Sequence, residues 1–230
     1  TLADVVTEQS IVNGMVGLLA TGGSTNHTLH LVAMARAAGI HIDWDDLDAL
    51  SRATPLLARI YPNGSGDVNQ FHDAGGLGFI IEQLLDVGML HEDIPCVHGG
   101  GMRQQALRPQ LDGTSLEWAN VAAESSDPSI LRPLSEAFDK EGGLRRLQGN
   151  LGRAVVKVSA VASEHRGIEA PARIFETQDA LIAAFKAGKL EGDFIAVVRG
   201  QGPRAIGMPE LHKLTPPLAA LQDRGQRVAL

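Results

Sequence analysis

Apolar and polar positions alternate in blocks along the first half of the chain. Residues 1–20 carry Ile11, Val12, Met15, Val16, Leu18 and Leu19, a density that predicts a buried helix. Thr21-Gly22-Gly23-Ser24-Thr25-Asn26-His27 then reads as a sharp glycine turn with small polar side chains. Leu29, Val32 and Ala33 follow at helical spacing, and Gly39 is a C-terminal stop, which puts the polar cluster at a helix N-terminus. Asp43 is placed to cap a further helix, with Asp46 three residues on and Leu47 and Leu50 on the apolar face; Pro55 interrupts it. Tyr61–Asp67 is a loop by composition. Leu77, Ile80, Ile81, Leu84 and Leu85 mark an amphipathic helix that ends at Gly88, and His98–Gly101 is another turn.

Residues 108–150 are more polar, and the pattern changes near Gly149. Residues 154–160 alternate like a strand, and Ala172–Phe175 reads as a second. Thr177 is placed to cap a helix bearing Ala180, Leu181, Ala184 and Phe185, closed by Gly188. Phe194–Val198 is apolar on both faces and so predicts a central strand. A Pro/Gly-rich loop, a short helix around Leu218–Leu221 and a terminal strand complete the chain. The order of elements predicts an α/β protein in two parts, residues 1–148 and 149–230.

Composition narrows the classes. With 230 residues, 44% hydrophobic, and a mean hydropathy of +0.00, the chain can bury a core and is not a disordered tail. Twenty Lys+Arg against 27 Asp+Glu leave a net charge of −7, with no basic stripe, which argues against a nucleic-acid partner. No run reaches the about 18 apolar residues of a membrane-spanning helix. One cysteine excludes an internal disulfide framework and points to a reducing compartment, the cytoplasm. Aromatics are 4% and glycines number 26, so the expected core is aliphatic with many tight turns. The chain starts at Thr1 and stops as a strand begins, so it is expected to be a piece of a longer protein.

Two segments carry candidate chemistry. In Thr21–Asn26, free N–H groups at a helix start attract anions, and Ser24, Thr25 and Asn26 add side-chain donors; the plainer reading is an ordinary N-cap. The lysine of a P-loop is missing. In Gln201–Lys213, Glu210, His212 and Lys213 stand within four residues on a loop after the central strand. Glu210 has the chemistry to bind a metal or move a proton, and the two cations suit a phosphate or carboxylate; a solvated surface turn is the alternative. His27 and His30 lack a third ligand at recognisable spacing, and His72 and His98 are weak signals. Cys96 has no cysteine partner. No Gly-x-Ser-x-Gly elbow or dinucleotide fingerprint is present.

Several long stretches, in order, resemble the dihydroxy-acid dehydratase / 6-phosphogluconate dehydratase family. They are Leu18–His27, Gly149–Val155, Ile168–Ala172 and Gly202-Pro203 through Gly207-Met208-Pro209-Glu210, and the likeness runs from about residue 10 to 230. His27, Tyr61-Pro62-Asn63-Gly64 and Leu211–Leu218 look like the sugar-phosphate branch. The dihydroxy-acid branch typically carries an extra glycine pair before Met-Pro-Glu and a Met after it; Ala205-Ile206 and Leu211 stand there instead.

The resemblance implies a hydro-lyase that dehydrates 6-phospho-D-gluconate to 2-dehydro-3-deoxy-6-phosphogluconate in the Entner–Doudoroff pathway. The rival expectations are a dehydratase of another sugar acid and a catalytically silent binding piece. It also implies an iron–sulfur cluster, expected as [4Fe–4S], whose cysteines lie upstream of this sequence. The family's proposed serine base lies beyond Leu230. Glu210 aligns with a glutamate that binds magnesium in the dihydroxy-acid branch, so magnesium and substrate contact are both open for it. The implied fold is the end of an α/β cluster-binding domain followed by part of a β-rich, barrel-like domain with flanking helices. The implied active site lies between such domains, in a cytoplasmic homodimer acting on a small sugar-acid phosphate. The chain alone is expected to be inactive. On this reading the candidate residues are Glu210 for catalysis, with Ser24, Thr25, Asn26, His212 and Lys213 for substrate.

Overall fold

The computed structural model describes residues 1–208 and 210–230. It divides into two compact units, Thr1–Ala162 and Ser163–Leu230.

The first unit is helical at its start. Helices α1 (Leu2–Val5), α2 (Glu8–Ala20), α3 (Thr25–Ala37) and α4 (Trp44–Ala53) are followed by α5 (Val68–Asp73) and α6 (Gly76–Asp86). Helix α2 is apolar around most of its circumference because it separates two core clusters. Val16 and Ala20 pack with Phe79, Ile80 and Leu84 of α6. Ile11, Met15, Leu18 and Leu19 pack with Leu31, Leu47 and Leu144. Capping sets the helix starts as the sequence predicts. The Asp43 carboxylate accepts from the backbone N–H of Asp45 and Asp46, and the Asp46 carboxylate accepts from the Asp43 N–H at 2.8 Å. Pro55 ends the run, and Leu56, Leu57 and Ala58 enter the core as extended chain. Leu57 donates its N–H to the Ala20 carbonyl at 2.8 Å, which ties this segment to the end of α2.

Two antiparallel hairpins finish the unit. Strands β1 (Arg108–Asp112) and β2 (Ser115–Ala119) pair through a turn at Gly113, and β3 (Leu144–Gly149) pairs with β4 (Gly152–Lys157). The expected strand over 154–160 thus starts earlier, and Val158–Ala160 is a 3-10 turn. Gly149 closes the second hairpin opposite Gly152, so the change of pattern seen there is a turn inside the first unit.

The second unit contains β5 (Ala172–Phe175), α7 (Gln178–Lys186), β6 (Phe194–Val198), α8 (Pro203–Ile206), α9 (Thr215–Gln222) and β7 (Val228–Ala229). Its three strands form one parallel sheet in the order β5-β6-β7, with β6 central, as its unbroken apolar run predicts. Leu181, Phe194, Leu214, Leu218, Leu221 and Val228 form its core. The α/β class holds. No closed barrel occurs among the described residues: the sheet has three strands, and β7 contributes two residues to it. Pro209 of the Met-Pro-Glu motif lies outside the described residues.

Candidate functional site

The first candidate segment is built at the junction of α2 and α3. Thr21 donates its hydroxyl to the Gly17 carbonyl at 2.8 Å, closing the last turn of α2. Gly22 then takes φ +61, a left-handed conformation that reverses the chain without a Cβ penalty. The Gly23 N–H donates to the Leu18 carbonyl at 2.8 Å. Ser24 is the N-cap of α3: its hydroxyl oxygen accepts from the Asn26 N–H at 3.1 Å. The capping role weighed from sequence is therefore real, and it occupies one lone pair of one hydroxyl. Ser24 and Thr25 are exposed, and Asn26 is half-buried. Among the described residues no acceptor takes the backbone N–H groups of Ser24 and Thr25. They stand at the positive end of a 13-residue helix, where an anion is stabilised.

Behind this turn lies a residue to which sequence reasoning gave no role. Asn63 donates its side-chain N–H to the Gly22 carbonyl at 2.7 Å and accepts from the Ser159 hydroxyl at 3.3 Å. Its loop includes a cis Tyr61–Pro62 bond, and the Asn63 N–H closes a turn on the Ile60 carbonyl at 2.8 Å. The Asn-Gly pair marked a turn in the sequence; partners 41 and 96 residues away left no local trace.

A cavity of about 670 Å³ opens beside α2 and α6, with Leu18, Ile80, Leu84 and Ile94 among its lining residues. Asn13, Thr21, His27, Cys96 and His98 also reach it, while Ser24, Thr25 and Asn26 do not. Asn13 fixes one wall by exchanging two hydrogen bonds of 2.9 Å with the His91 backbone. Partial burial, and then the neighbouring His30, hold the His27 imidazole below its ordinary pKa. Burial pushes the Cys96 thiol up, so it stays protonated near neutral pH. His72 stands 3.1 Å from Arg108, and His98 lies against Trp118 at 6.3 Å between ring centres. Among the described residues no three His, Cys, Asp or Glu side chains gather to hold a metal ion.

The second candidate segment belongs to the other unit. After β6 the chain passes Gly200 at φ +65, forms α8 and leaves it through Gly207 at φ +75. Gln178, the first residue of α7, pins the loop: its side-chain N–H groups reach the Gln201 side-chain oxygen at 2.7 Å and the Glu210 carbonyl at 3.0 Å. Glu210 Oε2 and His212 Nδ1 are 2.9 Å apart, which brings together two of the three residues singled out here. With Glu210 ionised, Nδ1–H donates to it and Nε2 is left for another partner. Leu214 is fully buried and anchors the turn His212–Leu214, so its exposed neighbours His212 and Lys213 are held from below. Lys213 makes no ion pair among the described residues. The arrangement offers an oriented acid–base pair beside an ammonium group with no ion-pair partner among the described residues.

Comparison with known proteins matches both parts of the chain to one family. Residues 1–105 match the dihydroxy-acid/6-phosphogluconate dehydratase N-terminal model, and residues 129–230 match the C-terminal model. The chain is 60% identical over 229 residues to a phosphogluconate dehydratase of Pseudomonas aeruginosa, covering 100% of this chain and 38% of that protein. It is 52% identical over 229 residues to the phosphogluconate dehydratase of Escherichia coli, again 100% of this chain and 38% of the relative. A dihydroxy-acid dehydratase of Prochlorococcus marinus is 32% identical over 231 residues, with 99% of this chain and 39% of that protein covered. The chain thus spans 38% of the length of the phosphogluconate dehydratases it matches.

Proposed function

Because this chain belongs to the dihydroxy-acid/6-phosphogluconate dehydratase family, we propose that it forms part of a hydro-lyase that removes water from 6-phospho-D-gluconate, giving 2-dehydro-3-deoxy-6-phosphogluconate in the Entner–Doudoroff pathway. The observation that carries this reading is the contrast in identity. It is 50–60% with seven phosphogluconate dehydratases across the whole chain, against 32% with a dihydroxy-acid dehydratase.

The reaction has two physical demands. Hydroxide is a poor leaving group, and the C2 proton of a hydroxy acid is weakly acidic, so an acid, a base and charge stabilisation are all needed. On this proposal Glu210 is the proton-handling carboxylate, with His212 held against it as its orienting partner. Lys213 and His212 compensate the negative charge of the substrate. The amides at the start of α3, with the side chains of Thr25 and Asn26, take an anionic or hydroxyl group of the substrate.

An iron–sulfur cluster in a dehydratase supplies a Lewis acid for the departing hydroxyl. The residues of this chain do not fit one. There is a single cysteine, Cys96, and no three-ligand group exists among the described residues. For a magnesium ion this chain offers one carboxylate, Glu210, and the remaining oxygens would come from water, substrate or other sequence. We therefore assign any cluster ligands to sequence outside these 230 residues and give Glu210 a role toward substrate. The 230-residue chain by itself is proposed to be inactive, and the full-length enzyme to be a cytoplasmic homodimer.

The test is turnover by the full-length protein carrying this chain, purified without oxygen. Formation of the 2-keto product from 6-phosphogluconate supports the proposal. Turnover of dihydroxyisovalerate or arabinonate in its place rejects the substrate, and dehydration by the 230 residues alone rejects their inactivity.

A further inference from the structure

The turn that presents Ser24, Thr25 and Asn26 is held by something other than its own helix. Backbone bonds fix the approach to it: Thr21 to Gly17, Gly22 N–H to the Leu19 carbonyl at 3.2 Å, Gly23 to Leu18, Leu57 to Ala20, and Gly142 N–H to the Ser51 carbonyl at 2.7 Å beside Leu19. The carbonyl of the apex, Gly22, is gripped by one side chain. It takes the Asn63 side-chain N–H at 2.7 Å, and the ideal Cβ position on Gly22 is 2.2 Å from that same nitrogen. Asn63 therefore lies directly against the reversal of the chain, closer than any side chain larger than glycine would allow.

Asn63 is itself held at both ends of its amide. The nitrogen faces a carbonyl and the oxygen faces the Ser159 hydroxyl at 3.3 Å, so only one orientation of the amide satisfies both. Ser159 is fixed in turn by its backbone N–H, which donates to the Gly143 carbonyl at 3.2 Å. Gly143 sits at φ +80, with an ideal Cβ position 2.4 Å from the Ser159 Cβ. Gly64, next to Asn63, packs so tightly that a Cβ there falls 2.6 Å from the Arg59 carbonyl oxygen. The amide thus ties its own loop to two remote segments, and every contact is in the first unit.

We propose that Asn63 is a positioning residue: through the Gly22 carbonyl it sets the angle at which the start of α3 meets the substrate, with Ser159 fixing the orientation of its amide. It does not itself touch the reacting atoms. The inference rests on the substrate-binding role given above to Ser24–Asn26.

Asn63→Asp is the sharp test, because it preserves shape and the bond from Ser159 while turning the donor against Gly22 into an acceptor. Two readouts are taken on the full-length protein. The first is hydrogen exchange at the hydrogen-bonded amides of Gly22, Gly23 and Asn26, which needs no substrate. Exchange there speeds by about tenfold or more, while that of Met15–Leu19 stays as in the parent; a tenfold change corresponds to ~1.4 kcal/mol. Ser159→Ala, which keeps the 2.7 Å bond, gives a smaller acceleration at the same residues. The second is steady-state kinetics with 6-phosphogluconate. KM rises about tenfold in Asn63→Asp with kcat within threefold and an unchanged melting temperature.

Unaltered exchange at Gly22, Gly23 and Asn26, or a parallel loss of protection throughout α2, overturns the positioning role whatever the substrate. Faster local exchange with an unchanged KM also overturns it. A parent enzyme inactive on 6-phosphogluconate refutes the substrate proposed earlier, and the exchange result then decides whether Asn63 sets the turn.

Discussion

The backbone N–H of Arg146 donates to the Asp48 carboxylate at 2.8 Å, joining β3 to α4 across 98 residues of sequence. The other oxygen of Asp48 accepts from the Arg52 guanidinium at 2.9 Å. Burial alone would push this carboxyl up. The Arg146 N–H, with the guanidinium groups of Arg52 and Arg145, outweighs burial and holds it below its ordinary 3.8. A carboxyl depressed on folding adds stability above its unfolded pKa and loses it as pH falls through the folded value. Asp48→Asn keeps an acceptor for Arg146 and removes the charge. It is expected to cost about 0.5–1.5 kcal/mol near neutral pH. The difference from the parent should begin to close as pH falls below 3.8 and vanish once it passes the lower folded value, where the parent carboxyl is neutral too. Urea melts of both proteins over a pH series check the sign and the window.

Two glycines five residues apart should respond oppositely to alanine. Gly17 lies within α2, and a Cβ there meets nothing within 4 Å, so Gly17→Ala is expected to stabilise by up to about 1 kcal/mol. Gly22 has φ +61, and its Cβ position is 2.2 Å from Asn63 Nδ2 and 2.9 Å from Leu56 Cδ1. Gly22→Ala should destabilise by about 1–3 kcal/mol through strain and overpacking. Thermal melts of the pair, read against the parent, decide it.

The elements legible from sequence are those whose causes are local. Asp43 and Asp46 announce α4 because both halves of the capping exchange lie within four residues. Gly39 and Gly188, at φ +79 and +66, mark helix ends for the same reason. Phe194–Val198 reads as a central strand since both its faces are covered. Strands β1 and β2 gave no such signal. Leu111, Leu116 and Trp118 are exposed on that hairpin, so its faces carry no buried–exposed alternation to read. The candidate sites divide along the same line. Ser24–Asn26 and Glu210–Lys213 are visible as dense polar clusters on glycine turns. Asn63, Ser159 and Gln178 hold those clusters through contacts 23 to 96 residues apart, which no pattern within a window encodes.

Leu181 is fully buried among Phe194, Leu214 and Leu218 in the core under the second candidate segment. Removing its side chain to alanine leaves a void that Leu214 borders. Leu181→Ala is expected to cost about 2–5 kcal/mol, in line with buried leucines elsewhere. Limited proteolysis should show faster cleavage within residues 200–215 than in residues 1–20, since the lost packing lies in the second unit alone.

The exposed groups of the same segment should behave in the reverse way. Glu210 and His212 have side chains 51% and 78% exposed, so removing either leaves no buried void and should leave the melting temperature unchanged. Glu210→Gln keeps size and one acceptor but cannot carry a proton, and a lost acid–base group costs about 10²–10⁴ in rate. A drop of that order in kcat, at constant stability, supports the catalytic role. Lys213→Ala tests a different function. An ammonium group that meets substrate as a charge contributes to binding in both ground and transition states, so KM should rise while kcat is held. That rise should shrink as salt increases, because an exposed contact is screened. If instead Lys213→Ala lowers kcat and leaves KM alone, the ammonium acts on the reacting atoms and the division of labour between Glu210 and Lys213 is wrong.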